Sequence, residues 1–383
     1  MKYREIGKTG LRGSIIGLGC EHLDGKPYRQ VKETIDAALE KDINIFDVFM
    51  PGKEIRGNIA KALGHNRKKV MIQGHIGSTD VGKQYDICRD LPVAQRYFED
   101  MLLIFGGYID FGMMFFIDSE IDYSEVFDTG FADYVQRLKK QGDIGHIGFS
   151  SHSTEMAMRV IETGLPEILL FAINPAFDLY PAEKNVLDEL LDGINPAAFR
   201  GFDPRRAALY KLCEQKGIGI TVMKALGAGK LISKEYSPFR QPMTVPQCIH
   251  YALTRPAVAS VLLGCKTRDE VFDATRYLET DESERDYTPV LSTLRNDFRG
   301  NCVYCSHCQP CPVEIDIATV NKYLDIALLD EKHIPPSIFA HYGSLTNSGK
   351  DCTRCGNCES RCPFGVPIMD RMETAAKIFN KNQ

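Results

Sequence analysis

Eight of the thirteen cysteines fall in two bursts, Cys302, Cys305, Cys308 and Cys311, then Cys352, Cys355, Cys358 and Cys362. The first burst reads C-VY-C-SH-C-QP-C-P and the second C-TR-C-GN-C-ESR-C-P. A C-x2-C-x2-C run closed shortly by Cys-Pro is the spacing that wraps a 4Fe–4S cluster. Its short loops let three thiolates converge on three corners of one cube. The fourth cysteine leaves with the next segment and ligates the other cluster of a pair. On that logic one cluster takes Cys302, Cys305, Cys308 and Cys362, and the second takes Cys352, Cys355, Cys358 and Cys311. The first burst departs by having two residues, not three, before its last cysteine. Two zinc sites are the alternative, but zinc favours C-x2-C knuckles separated by a longer loop.

The remaining cysteines, Cys20, Cys88, Cys213, Cys248 and Cys265, are scattered and read as small buried residues. Cys265 is the exception left open, because it ends a predicted strand. Thirteen cysteines in 383 residues without an export signal do not make a disulfide framework. The N-terminus, MKYREIGKTG, is polar from the start and has no apolar core of a signal peptide. The most apolar window, Met101–Ile117, contains Asp110 and Gly106-Gly107 and is too broken to span a membrane. Hydrophobic content of 44%, charged content of 25% and a mean hydropathy of −0.21 exclude disordered, collagenous and membrane-embedded chains. A net charge of −5, with no block of five basic residues, argues against nucleic-acid or anionic-membrane partners. The expectation is a soluble, cytoplasmic protein.

The shift in cysteine density, close to the polar stretch ETDESERDYTP, divides the chain into residues 1–285 and 286–383. In the first part short apolar runs alternate with amphipathic stretches. The predicted strands are Ser14–Gly19, Ile43–Asp47, Val70–Gly74, Ile109–Ile117, His146–Ser150, Ile168–Ile173, Ile218–Met223 and Ser260–Gly264. Helical patterns lie between them, such as Val31–Glu40, Phe131–Lys140 and Ala207–Lys216. Eight strands each followed by a helix give a (β/α)8 TIM barrel. An open doubly wound sheet would show G-x-G-x-x-G after its first strand, and Gly17-Leu18-Gly19-Cys20 lacks that spacing. A long excursion, about residues 178–203, breaks the rhythm as either a lid over the site or a passive insertion.

Active sites of such barrels lie at the C-terminal ends of the strands. There the sequence offers Asp47, His75, the Phe115–Asp118 region, Ser151, His152, Asn174, Lys224, Cys265 and Lys266. The segment YREIGKTGLRGSIIGLG resembles the N-terminal hairpin and first strand of the aldo/keto reductases. INIFDVF, QRLKKQGDIGHIGFSSHS, GIGITVMKALGAGKL and VASVLLGCKTRDEV resemble that family's second, fifth, seventh and eighth strands. The resemblance covers roughly residues 1–280. The cysteine-rich remainder resembles the branch of the family that carries a C-terminal ferredoxin-type domain with two 4Fe–4S clusters.

The resemblance implies a carbonyl reductase with NADPH extended across the rim. Family catalysis uses a Tyr as general acid, a Lys that lowers its pKa, an Asp paired with the Lys, and a His that orients the carbonyl. Asp47 stands at the Asp position, but D-VFMPGKE offers no Tyr. His75 stands at the Lys position and Phe115 at the His position. Two readings follow. In one, a substituted set of Asp47, His75 and His152 performs acid–base work, because histidine titrates near neutrality. In the other, the barrel serves a non-catalytic electron-transfer or redox-sensing protein, and His75 merely braces a loop.

On the cofactor side, Ser151 and Asn174 match positions that hold the nicotinamide carboxamide in the family. Lys224, Leu226 and Gly229 fall in the loop over the pyrophosphate. Gly264, Lys266, Thr267 and Arg268 fall where the adenosine 2′-phosphate is gripped, a task suited to Lys and Arg. Asp273 replaces a common Asn and weakens the adenine contact. Lys224 is alternatively a Schiff-base lysine. A nicotinamide delivers two electrons together and a 4Fe–4S cluster passes one. A flavin, a radical-tolerant substrate or an external electron-transfer protein would join the two, unless the clusters only hold the tail folded.

Overall fold

Strands covered on both faces need unbroken apolar runs, and ILLFA over Ile168–Ala172 is one, with every residue buried. The computed structural model describes the chain except for residues 83, 182, 184–185, 187–198, 200–202, 240, 292–298, 330 and 381–383. A hairpin of β1 (Tyr3–Glu5) and β2 (Arg12–Ser14) precedes β3 (Ile16–Gly19), β4 (Ile45–Val48) and β5 (Met71–Ile76). A small hairpin, β6 (Ser78–Thr79) with β7 (Asp86–Ile87), leads to β8 (Ile109–Met114), β9 (Ile144–Ser151) and β10 (Ile168–Ala172). Last come β11 (Gly219–Met223) and β12 (Val258–Gly264). The strands β3, β4, β5, β8, β9, β10, β11 and β12 close into a parallel barrel, with Leu262 paired to Gly17 at the seam.

Local signals start and stop the surrounding helices. Asp90 caps Leu91–Ile104, Ser153 caps Thr154–Glu162, and Thr244 with Gln247 forms a capping box on Val245–Leu253. Pro204 opens Pro204–Lys216, and Gly217, at φ 69°, ends it. In the lumen, Ile6 from the hairpin plugs the lower end against Ile45, Met71, Phe111, Ile168 and Leu262. Gly148 must be glycine there, because a Cβ would lie 2.3 Å from Met113 Sδ and 2.5 Å from Ile168 Cγ2.

All eight expected strands form, with ends moved by a few residues. The fourth stops at Met114 instead of Ile117, because Phe116 turns to φ 38°. Hairpin β6–β7 and the helix Glu120–Phe127 were not foreseen, being too short for a periodic signal. Cys88 corrects the expectation that the scattered cysteines are buried: it is partly exposed beside β7, while the other four are buried. Most of the proposed lid lies outside the described residues. Asp178, where it begins, is fully buried and belongs to the core. No described helix is long and apolar enough to cross a membrane.

Beyond the barrel, Ile317–Ala327, Pro336–Gly343, Asn357–Arg361 and Ile368–Asn380 are helical. This tail shares one apolar core with the barrel's outer wall. Gln215 Nε2 donates to the Ile326 carbonyl at 3.2 Å. The Tyr287 hydroxyl donates to the Val303 carbonyl at 2.9 Å, and Arg255 donates to the same carbonyl. Inward from there, Tyr251 donates to Asp178 Oδ2 at 2.7 Å. Asp178 Oδ1 accepts from Arg206 Nε at 2.9 Å and from Tyr210 at 2.6 Å.

Candidate functional site

The ends of β4 and β5 carry Asp47 and His75 to the upper rim, where adjacent parallel strands set them side by side. His75 Nε2 donates to Asp47 Oδ1 at 2.8 Å, with His75 1% and Asp47 6% exposed. This fixes the tautomer and orientation of the ring. His75 Nδ1 finds no partner among the described residues. Phe115 meets the imidazole edge-on at 5.3 Å, and Phe49 does so at 6.0 Å. Phe115 stacks on Phe116 at 4.1 Å, and Phe116 meets His152 at 4.5 Å, so an aromatic wall joins the two histidines.

A second constellation crosses from β9 to β11. The Nδ1 of His152 donates to Asp118 Oδ2 at 2.8 Å, and its backbone N–H donates to Oδ1 at 2.6 Å. Lys224 Nζ lies 3.1 Å from His152 Nε2, the nitrogen then left to accept. Burial alone would raise the Asp118 carboxyl, but the His152 and Ser151 contacts outweigh it and hold it below its ordinary value. Burial lowers the Lys224 ammonium against the pull of Glu21, Asp118 and Asp47. Lys224 also stands at φ 59°, a left-handed conformation that side chains disfavour and that is concentrated at functional sites.

Sequence reading missed the bracing of this rim. Arg89 Nη2 donates to the carbonyls of Phe115 and Phe116 at 2.8 and 2.7 Å, and the Phe116 N–H donates to Ser150 Oγ at 2.9 Å. No local pattern marks Arg89, because its partners, two backbone oxygens and the Asp122 carboxylate at 3.5 Å, lie far along the chain. Asp118 was noted only as part of a region, yet it is the anchor of His152.

The nucleotide-side residues divide. Ser151 donates to the Ile117 carbonyl at 2.7 Å and accepts from the Ser153 N–H at 3.1 Å. Asn174 donates to the Lys224 carbonyl and accepts from the Phe177 N–H, both at 2.9 Å, so both side chains brace loops. Leu226 and Gly229 lie in a tight turn where Gly227, Ala228 and Gly229 all have positive φ. Thr267 caps the helix Arg268–Thr275. Thr267 and Arg268 line an open cleft of about 410 Å³ with Arg29, Gln30, Glu33 and Thr34. Lys266 borders it, its carbonyl accepting from Gln30 Nε2 at 2.8 Å, while Gly264 is exposed beside His22. Cys265 is buried and its thiol is pushed up to about 12 by burial, so it is no reactive thiolate.

In the tail, Cys311, Cys352, Cys355 and Cys358 line one small recess with Pro312, Val313, Ile315 and Arg361. These four are the set expected for the second cluster. The two cysteine loops repeat one backbone. Tyr304 and Ser306 stand at φ 57° and 62°, and the matching Arg354 and Gly356 at 54° and 77°. Left-handed residues at these places turn successive N–H groups inward, forming a concavity that favours anions. The Arg354 N–H points at Cys352 Sγ, 3.4 Å away. Cys305, Cys308 and Cys362 lie within electrostatic reach of one another, as do Cys302 and Cys305, and Cys308 is also within reach of Cys358 from the other set. Among the described residues, no three Cys, His, Asp or Glu side chains close tightly enough to hold a single ion.

The sequence profile of the aldo/keto reductase family matches residues 15–247. With the barrel and its rim, this defines the class: the chain belongs to the aldo/keto reductase family. Among solved structures it is similar to an aldo-keto reductase of Bacillus halodurans in its holo form, at 18% identity and a TM-score of 0.56, over 74% of this chain and 94% of that one. A Pseudomonas aeruginosa protein assigned to the aldo-keto reductases is similar at 18% identity and a TM-score of 0.54, over 72% of this chain and 94% of that one. At such identity the likeness is one of fold.

Proposed function

We propose that this protein is an oxidoreductase that reduces a small carbonyl-type substrate with NADPH, with a non-standard acid–base set at the rim. We propose further that residues 286–383 form a ferredoxin-type domain with two 4Fe–4S clusters that exchange electrons with an external protein. The observation that carries the enzymatic reading is the pair of oriented histidines on one barrel rim. Each is held by a carboxylate, the buried Asp47 or the partly buried Asp118, and they are joined by an aromatic wall.

When bound, the nicotinamide supplies hydride to the carbonyl carbon, and the clusters supply single electrons. The chain's own residues handle the proton. Asp47 orients His75, whose Nδ1 has no hydrogen-bond partner among the described residues and, when the ring is protonated, can donate its proton to the developing oxygen. Asp118 orients His152, which shares a proton with Lys224. The aromatic wall excludes water between these centres, strengthening each charge interaction. Arg29 and Arg268 at the cleft suit a terminal phosphate, although each also pairs with a carboxylate, Glu33 at 2.8 Å and Glu40 at 2.7 Å.

The layout of the second cysteine set supports the cube over zinc. A lone zinc ion draws four sulfurs to about 2.3 Å from one point, whereas the recess spreads Cys311, Cys352, Cys355 and Cys358 around a cavity.

Anaerobic NADPH oxidation across a panel of aldehydes and ketones tests the enzymatic reading. Removal of a positioned acid–base group costs roughly 10²–10⁴-fold in rate. His75→Ala is therefore expected to lose that much turnover while still binding nucleotide. Full turnover in His75→Ala would remove His75 from its role. No nucleotide affinity in the unaltered protein would favour the electron-transfer reading.

A further inference from the structure

Arg255 follows Thr254, the C-cap of the barrel helix Val245–Leu253, and is 2% exposed. Its guanidinium donates to Thr254 Oγ1 at 3.0 Å, to the Tyr287 hydroxyl at 3.4 Å and to the Val303 carbonyl. It lies 4.2 Å from the Tyr251 ring centroid and 5.5 Å from that of Tyr304. All of these partners are neutral. Asp178, whose field reaches Arg255, is already paired with the buried Arg206 at 2.9 Å. Two buried guanidinium groups therefore share one carboxylate, leaving an excess positive charge.

Burying an uncompensated charge is costly, and proteins pair such charges or neutralise them. Arginine cannot lose its proton in this setting. The compensating anion must then come from what Arg255 touches, the turn Cys302-Val303-Tyr304-Cys305. Tyr287 shares the Val303 carbonyl with Arg255, so both side chains grip the backbone between Cys302 and Cys305. A cube held by thiolates is an anion whose charge grows on reduction, and nearby charge and hydrogen bonds set its potential. Arg371, a guanidinium within reach of Cys302, already pairs with Asp325.

We propose that Arg255 is the counter-ion of the first cluster, a positioning residue that anchors the Cys302–Cys305 turn and raises that cluster's reduction potential. This rests on the iron–sulfur reading of the tail. It gives the barrel wall a direct hold on one of the two clusters, since Arg361, which lines the second recess, binds the Cys308 and Pro310 carbonyls instead.

The test is an anaerobic redox titration of the full-length protein, followed by electron paramagnetic resonance, with iron and acid-labile sulfide measured on each sample. Arg255→Gln removes the charge, and Arg255→Lys keeps it while losing the planar fork. In Arg255→Gln one midpoint is expected to move to more negative potential while the other stays, and Arg255→Lys should retain most of the original value. Loss of one cluster's iron in Arg255→Gln but not in Arg255→Lys also supports the counter-ion role. Unchanged midpoints in an iron-replete Arg255→Gln overturn it and leave the iron–sulfur reading intact. Equal shifts or equal iron loss in both variants overturn it too, because charge is then not what matters. Unaltered protein without iron would instead defeat the underlying reading, and this proposal with it.

Discussion

Lys224 Nζ lies 3.1 Å from Nε2 of His152, so one imidazole is held between an amine just past β11 and the carboxylate of Asp118. The arrangement follows the logic of a reactive group, a base and an orienting acid on three neighbouring elements. It stands beside the His75–Asp47 pair, so the rim holds two histidine–carboxylate pairs.

Asp118→Asn tests the second centre through stability. Because the folded carboxyl lies below its ordinary value, its contribution is fully present above about pH 4, the unfolded value. It is lost as pH falls through the lower folded value. The variant should be less stable by about 2 kcal/mol at neutral pH. In urea titrations at falling pH, the gap should close in acid. A gap that stayed constant down to pH 2 would contradict the assignment.

Asp178→Ala should be among the most destabilising single changes in the barrel. It strands the buried Arg206 and leaves the hydroxyls of Tyr210 and Tyr251 without their acceptor. Breaking such a buried pair costs roughly 3–5 kcal/mol. Chemical denaturation should show this, whereas Glu33→Ala, at an exposed pair, should leave the midpoint in place.

The barrel was legible because its signal is periodic: each buried strand is an apolar run, and each helix repeats its apolar face. Asp47 and His75 were found because strand ends project side chains to the rim. The role of Asp118 was not legible, since its partner His152 lies far along the chain and they meet only through β9. Asn174 and Ser151 show the opposite limit. Their positions suggest ligand contacts, and both side chains also bond loop backbone, a second role that position in the sequence does not reveal. Arg255 gave no sequence signal, because its meaning comes from what it is buried against. The cysteine bursts were legible from spacing, and the left-handed residues between the cysteines supply the conformational reason for that spacing.

Arg268→Ala addresses the cleft proposed for the nucleotide. Loss of one charge-assisted contact to a terminal phosphate corresponds to roughly tenfold in affinity. The KM for NADPH should rise by about that factor, with that for NADH nearly unchanged. Equal effects on both cofactors would remove Arg268 from phosphate recognition.

Cys311→Ser examines the crossed ligand assignment. Cys311 shares its recess with Cys352, Cys355 and Cys358, although it belongs to the other burst in sequence. The variant should therefore lose the same spectroscopic signal as Cys355→Ser, and Cys362→Ser should match Cys305→Ser. If Cys311→Ser resembled Cys305→Ser, the clusters would be local to each burst.

Iron and acid-labile sulfide on protein purified without oxygen give the most direct test of the central claim, that the tail binds two cubes beside a reductase barrel. About eight of each per chain, with a brown colour bleached by dithionite, is the expected result for two 4Fe–4S clusters. A folded, colourless protein with neither element, or with zinc in their place, would contradict it.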